Sequence, residues 1–423
     1  MAQRRRVVHR TLIALAFLTL TSTAAAEPPE VAWTHQFGTP LEDFVHAVSA
    51  KGSDLYTVGS TKGTLPEESS QGRRDAFIRR YDASGELVWT DQFGTDFRDS
   101  AMGVEAAHSG AYVVGYENLQ HVDEQAFVRR YDASGDVVWT DQILPRDISI
   151  ATDVEAASSS IFVVGNVWDG DSNAFLRRYD MAGNVIWTRV FGTRSDDAAL
   201  AVAVGSPGIY VTGETDGAMA QRKNPGRGDA FVRRYNGSGK AIWTRQFGSR
   251  DWDGANGVAA VSSGVYVAGY TLGALRRQNP SGGTDAFVRR YAPSGSPRWT
   301  RQFGTSNHDQ VQQVTAASSR VYVAGSTGGE LPGQVSSGGT DAFIRHFDSS
   351  GTRIWTHQLG TSGSDLAWGV DVASSGIYIG GQTDGTFPEQ ANFGIYDAFV
   401  ARYVETQPTS RNLAPRSSSP RNR

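Results

Sequence analysis

Short apolar runs broken by Gly, Ser, Asp and Pro fill this chain, and no stretch carries a helical period. Val265-Tyr266-Val267-Ala268-Gly269 is almost continuously apolar, β-branched and aromatic, as a strand covered on both faces should be. Ala286-Phe287-Val288-Arg289-Arg290-Tyr291 follows it, then a tight Pro293-Ser294-Gly295 turn, then a strand carrying Trp299. Turns of that kind, such as Asp82-Ala83-Ser84-Gly85, read as hairpins between antiparallel strands. A further strand ending in Val-x-Ala (Val104-Glu105-Ala106, Val258-Ala259-Ala260) completes a unit of four.

The unit comes seven times. Trp-Thr recurs at Trp33, Trp89, Trp139, Trp187, Trp243, Trp299 and Trp355, and a glycine falls 26 residues after each, from Gly59 to Gly381. Ala-Phe follows at Phe77, Phe127, Phe175, Phe231, Phe287, Phe343 and Phe399. Repeats of this length built from short strands predict an all-β, seven-bladed propeller with four antiparallel strands per blade, the Trp strand outermost. The first Trp strand has no Ala-Phe strand before it, and the last Ala-Phe strand, Asp397 to Tyr403, has no Trp strand after it. These orphans should pair, so that the N-terminal strand completes the last blade and no edge stays open. The tryptophans read as core, and the recurrent glycine as a point where side chains of the adjacent blade approach closely.

Composition then places the domains. Residues 1–26 resemble a secretory signal: Arg4, Arg5, Arg6 and Arg10, an apolar run from Thr11 to Leu20, and a cleavage site at Ala24-Ala25-Ala26. The segment is too short and wrongly flanked for a membrane span. The propeller is expected over 27–403, and 404–423, rich in Pro, Ser, Asn and Arg, reads as a disordered basic tail. With no Cys in the chain, packing alone must hold an exported ring. A net charge of -4 argues against a nucleic-acid binder, and the recurrent Arg-Arg-Tyr of the third strand (Arg79-Arg80-Tyr81, Arg129-Arg130-Tyr131) is expected to pair with aspartates of the adjoining turn.

Leu359-Gly360-Thr361-Ser362-Gly363-Ser364-Asp365, Ser375-Gly376-Ile377-Tyr378-Ile379-Gly380-Gly381-Gln382-Thr383 and Asp397-Ala398-Phe399-Val400 together resemble the bacterial seven-bladed β-propeller repeat known as SBBP, with Leu359 where that family usually has Phe. The resemblance extends over residues 31–403 and implies an exported or surface protein. Ala126-Phe127-Val128-Arg129-Arg130-Tyr131-Asp132-Ala133-Ser134-Gly135-Asp136-Val137-Val138-Trp139 also looks like the Trp-docking repeat of quinoprotein dehydrogenases and outer-membrane assembly propellers. Those families resemble eight-bladed rings, commonly with Cys that this chain lacks.

Since identical residues serve the fold, function should sit where the symmetry breaks. The connection from the second-strand Gly to the third-strand Phe takes 18 residues in five blades, 12 in blade 2 and 10 in blade 3. Two low walls side by side should make a notch, lined by Glu117, His121, Asp123 and Glu124 of blade 2 and by Trp168, Asp169 and Asp171 of blade 3. Taller loops elsewhere are basic, with Arg73, Arg74, Arg222, Lys223, Arg227, Arg276 and Arg277, so the rim is electrostatically two-sided. Trp168 and Trp252 suit a sugar face or a protein hot spot, whereas Trp368 reads as core. Asp169, Asp171 and Asn173 stand at alternate positions, a spacing that fits Ca²⁺ or a plain Asx turn. Asp43, Asp99, Asp197, Asp253, Asp309 and Asp365, with Ser149 the exception, read as turn caps rather than a cation ring.

No histidine has paired metal-ligand spacing and nothing selects a catalytic triad. The reading is a monomeric, exported binding scaffold without a cofactor, whose loop face takes an extracellular polysaccharide or a surface protein. The competing class is a glycan hydrolase or lyase using the notch carboxylates; a quinoprotein-like or assembly-factor role is the minor alternative.

Overall fold

The computed structural model describes residues 28–119, 122–144, 148–219, 226–317 and 319–405. The expected signal segment, most of the tail, His121, Arg222 and Lys223 lie outside them. Twenty-eight strands form seven four-stranded antiparallel sheets, each in chain order from the inner to the outer strand. The exception closes the ring: Glu30–Phe37 pairs with Asp397–Val404, outside Gly376–Thr383 and Asp365–Ala373. The two orphans are partners, as the repeat register required.

The tryptophans pack against the core, most of them from its edge. Six of the seven repeat tryptophans are half-buried, because each lies on the outer strand and reaches over the next blade's hairpin turn; Trp355, which faces the closing blade where there is no such turn, is nearly enclosed at 5% exposure and donates to Glu405 Oε1 at 3.2 Å. A Cβ on Gly295, where φ is +80°, would lie 2.8 Å from Trp243 Cδ2; Gly85, Gly183 and Gly351 stand in the same relation to Trp33, Trp139 and Trp299. Glycine is required twice there, for the left-handed backbone and for the space. The indole N–H then donates to a carbonyl of the same turn: Trp89 to Ala133 at 3.1 Å, Trp243 to Pro293 at 3.1 Å, Trp299 to Ser349 at 3.1 Å.

That carbonyl also takes the second arginine of the third strand, which overturns the expected turn-aspartate pairing. Arg80 Nη1 donates to Ala133 O at 2.7 Å, Arg234 to Pro293 O at 3.1 Å, and Arg402 crosses the closing seam to Ala83 O at 2.6 Å. The turn aspartates are occupied locally: Asp82 Oδ1 accepts from Ser84 N, Ser84 Oγ and Glu86 N. The first arginine lies on the outer-strand phenylalanine, Arg79 at 3.9 Å from the Phe37 ring and Arg345 at 3.9 Å from Phe303.

The inner-strand aspartates cap turns, as expected. Asp43 Oδ2 accepts from Thr39 N at 2.7 Å and Asp309 Oδ2 from Thr305 N at 2.6 Å. Opposite each stands the first residue of the preceding blade's third strand, giving five fully buried Asp–Asp pairs: Asp397 with Asp43, Asp75 with Asp99, Asp229 with Asp253, Asp285 with Asp309, and Asp341 with Asp365. Burial pushes Asp99, Asp229 and Asp253 up to about 6, and the like charge of Asp253 adds to the effect on Asp229. The remaining two seams put Asn173 against Asp197, and Gln125 and Ser149 where the others have the two acids.

Candidate functional site

The recurrent glycine of the second strand has a different cause from the one its sequence suggested. A Cβ at Gly59 would strike the carbonyl oxygen of Phe44, in the inner strand of its own blade, and Gly115, Gly165, Gly213, Gly269, Gly325 and Gly381 face the corresponding carbonyls. The inner strand is bulged there: the ladder shifts between Val45 and Ala47, between Ala101 and Gly103, and likewise in every blade. A bulge inserts a residue with no ladder partner and re-aims its side chain. The extra residues are His46, Met102, Thr152, Leu200, Asn256, Gln312 and Trp368, and together they line one cavity of about 230 Å³ in the central channel. All seven are half-buried.

No two of these residues are alike, yet two positions further on every inner strand has valine: Val48, Val104, Val154, Val202, Val258, Val314 and Val370. The bulge seat thus varies fully two residues before an invariant valine, as does the position two residues before it, from Phe44 to Leu366, in a chain that otherwise repeats. Three of the four polar bulge residues bond to the next blade, and the fourth, Gln312, accepts from the preceding one. His46 Nδ1 lies 2.9 Å from Ala101 O, Thr152 Oγ1 donates to Ala199 O at 2.8 Å, and Asn256 Nδ2 donates to Val311 O at 2.9 Å and to Gln312 Oε1 at 3.2 Å. Trp368 Nε1 donates to Gln382 Oε1 at 3.0 Å, fixing the indole. Burial pushes His46 down to about 4, so the imidazole is neutral; with Nδ1–H committed to the carbonyl, Nε2 is left as an acceptor. Beside it stand Phe44 and Tyr396, with ring centroids 5.8 Å apart.

Deeper in the channel a second cavity of about 280 Å³ is lined by Glu105, Asp153, Glu155 and Asp371 with Lys51. Burial, reinforced by their mutual repulsion, raises Glu105 and Glu155, and burial alone pushes Asp153 up to about 7. Several of these side chains also bond to the following inner strand: Asp371 Oδ2 accepts from Ala50 N at 2.9 Å, Ser49 Oγ from Ala106 N at 3.0 Å, and Asp153 Oδ2 from Val202 N at 2.8 Å.

The expected notch has another shape. The short connections are tight hairpins that carry the ladder outward, to Leu119↔Val122 in blade 2 and to Trp168↔Ser172 and Asp169↔Asp171 in blade 3, whereas the other blades end it at pairs such as Thr61↔Asp75. Long connections fold back over the outer strand instead, where buried Leu65 donates its N–H to Gln92 Oε1. Trp168 is exposed at the tip of the blade 3 hairpin, and Trp252, also exposed, rests on Gly228 of blade 4. Glu117 is turned into the sheet and paired with Arg129 at 3.1 Å, which takes it from any acid–base pair at the rim. Glu124 is half-buried and has an interaction partner of its own; Asp123 lies in the extended strand, Val122–Asp132. Arg74 of the basic wall is tied to Glu42 at 2.7 Å and lies over Phe44. Asp169 and Asp171 flank Gly170 as ladder partners while Asn173 pairs two rungs away with Val167; among the described residues no group of three acidic, His or Cys side chains is arranged to hold a metal. No helix among the described residues is long and apolar enough to cross a membrane.

The WD40 β-propeller domain of Doa1 matches 92% of this chain and 99% of its own length, at TM-score 0.52 and 12% identity. This chain is a seven-bladed β-propeller. The WD40 domain of Neurospora crassa Pan2 covers 86% of the chain at TM-score 0.49 and 11% identity, and is 90% covered itself. In sequence, the regulatory protein FlaEY of Caulobacter vibrioides is 28% identical over 177 residues, 38% of this chain; the match spans 19% of FlaEY. No family model matches the chain.

Proposed function

We propose that this propeller is an exported binding scaffold, not an enzyme, and that its loop face receives a polysaccharide or surface-protein partner at the mouth of the central channel. The observation that carries this reading is the ring of seven unlike bulge residues set in seven near-identical blades. A fold needs the bulge and its glycine; it does not need His46, Met102, Thr152, Leu200, Asn256, Gln312 and Trp368 to differ. Propellers serve widely as interaction platforms, although fold alone does not fix function. The partial similarity to a regulatory protein agrees with an interaction role. Export rests on the N-terminal Arg-rich and apolar segment and on the SBBP-like repeats. The exposed tips at Trp168 and Trp252 form a second contact around the same face.

The test is an array of polysaccharides and purified surface proteins probed with the parent protein and with Leu200→Arg, which puts a guanidinium into the mouth. Binding by the parent that disappears in the variant, with melting unchanged, supports the reading. Sustained release of product from any polysaccharide would replace it with the hydrolase or lyase class.

A further inference from the structure

We propose, resting on that reading, that the channel mouth takes one neutral sugar ring, laid against Trp368 and held through its hydroxyls by Gln312, Asn256 and His46. Size comes first. A cavity of about 230 Å³ is below the roughly 300–1,000 Å³ that encloses a drug-sized ligand, so it admits one ring rather than a folded segment.

Charge comes second. None of the seven ring residues is charged at neutral pH once His46 is neutral, and the cavity's one acidic lining residue, Asp153, has its carboxylate oxygens engaged by the backbone N–H groups of Val154 and Val202, so no ring residue offers a charge to an ionic ligand. The third point is the alternation of chemistry around the ring. Trp368, Met102 and Leu200 are apolar and His46, Thr152, Asn256 and Gln312 polar, a perimeter that meets a ligand having apolar C–H faces and a polar edge. A pyranose has both. Its hydroxyls donate and accept, which suits acceptors at His46 Nε2 and Asn256 Oδ1 and a donor at Gln312 Nε2, the amide atoms outside the Asn256–Val311 and Asn256–Gln312 bonds. The indole of Trp368 supplies a large flat surface whose orientation is already fixed by Gln382.

A peptide strand is disfavoured by the same hydrogen bonds that stitch the channel. Backbone N–H groups of Ala50, Ala106 and Val202 on the inner strands are taken by Asp371, Ser49 and Asp153, so those positions offer no edge for strand addition.

The experiment titrates the full chain with glucose, galactose, mannose and N-acetylglucosamine and with oligosaccharides of each, by calorimetry and by saturation-transfer NMR. Trp368→Ala and Gln312→Leu serve as mouth variants, Met102→Arg as a blocking variant, and Val138→Ala, exposed on an outer strand, as a control away from the mouth; a circular-dichroism melt accompanies each. The expected result is binding of at least one neutral sugar that weakens about tenfold or more in each mouth variant that melts like the parent and is unchanged in Val138→Ala. If Trp368→Ala unfolds, Gln312→Leu and Met102→Arg decide. Sugar binding that survives all three overturns the site. Absence of any sugar binding down to about 1 mM affinity overturns the ligand class. In that case a surface protein whose binding is blocked by Met102→Arg leaves the scaffold reading standing, and one indifferent to every mouth variant removes that reading as well.

Discussion

Replacing Gly295 by alanine tests how the blades lock. Its φ of +80° costs an L-residue about 1–2 kcal/mol, and the new Cβ would stand 2.8 Å from Trp243 Cδ2, 2.9 Å from Cε2 and 3.0 Å from Arg245 Nη2. Moving the indole by a few tenths of an ångström is an overpacking event of about 1–3 kcal/mol, so the single change should cost ~2–5 kcal/mol. Trp243→Ala removes a half-buried indole and its 3.1 Å bond to Pro293 O, for about 3 kcal/mol. In the double variant the clash has gone and only the backbone strain of an alanine in the turn is added, so the two costs should fall short of additive by about 1–3 kcal/mol. Urea unfolding of the four proteins, followed by far-UV circular dichroism, measures the difference. If the Gly295 change costs as much without Trp243 as with it, the glycine answers to the turn alone and the lock between blades is wrong.

Deleting residues 30–37 removes the outer strand of the last blade and bares the edge of Asp397–Val404; aggregation in size-exclusion chromatography is expected, and a monomer melting like the parent would refute the closure. The Asp pairs set a pH dependence. Because Asp99, Asp229 and Asp253 titrate at about 6 in the folded protein, above the ordinary aspartate value, their contribution is fully present below about pH 4 and lost as pH rises through 6. Asp229→Asn, which copies the Asn173–Asp197 seam, should therefore flatten the fall in stability between pH 4 and 7 and raise stability at pH 8; an unchanged profile counts against the paired acids. Trp168→Ala with Asp169→Ala should change stability by only ~0.5 kcal/mol by urea unfolding, since the tip is exposed.

Fold, blade count and closure were readable because each blade solves the same packing problem with the same residues. The rest was obscured by that sameness. Trp368 reads as core from its neighbours, since nothing in an isolated strand announces a bulge; only the alignment of seven inner strands shows a position that varies two residues before an invariant valine. The seam acids were half visible: the Asp43 series was legible as turn caps, but its partners from Asp75 to Asp397 look like strand starts until the ring brings neighbours together. The rim was misjudged because loop length was read as height, whereas the long connections lie down against their own blades and the short ones run straight out.

The bulge and its glycine separate two demands that usually compete within one strand. Where a residue sits in a ladder, changing it alters pairing and packing together; the seat held by His46 in blade 1 and by Trp368 in blade 7 has no partner across the sheet. Each blade therefore offers one socket that can be refitted while the frame is left alone. Seven such sockets facing a common axis let a duplicated module become a chemically graded pore by single substitutions, so a change of ligand needs no change of architecture.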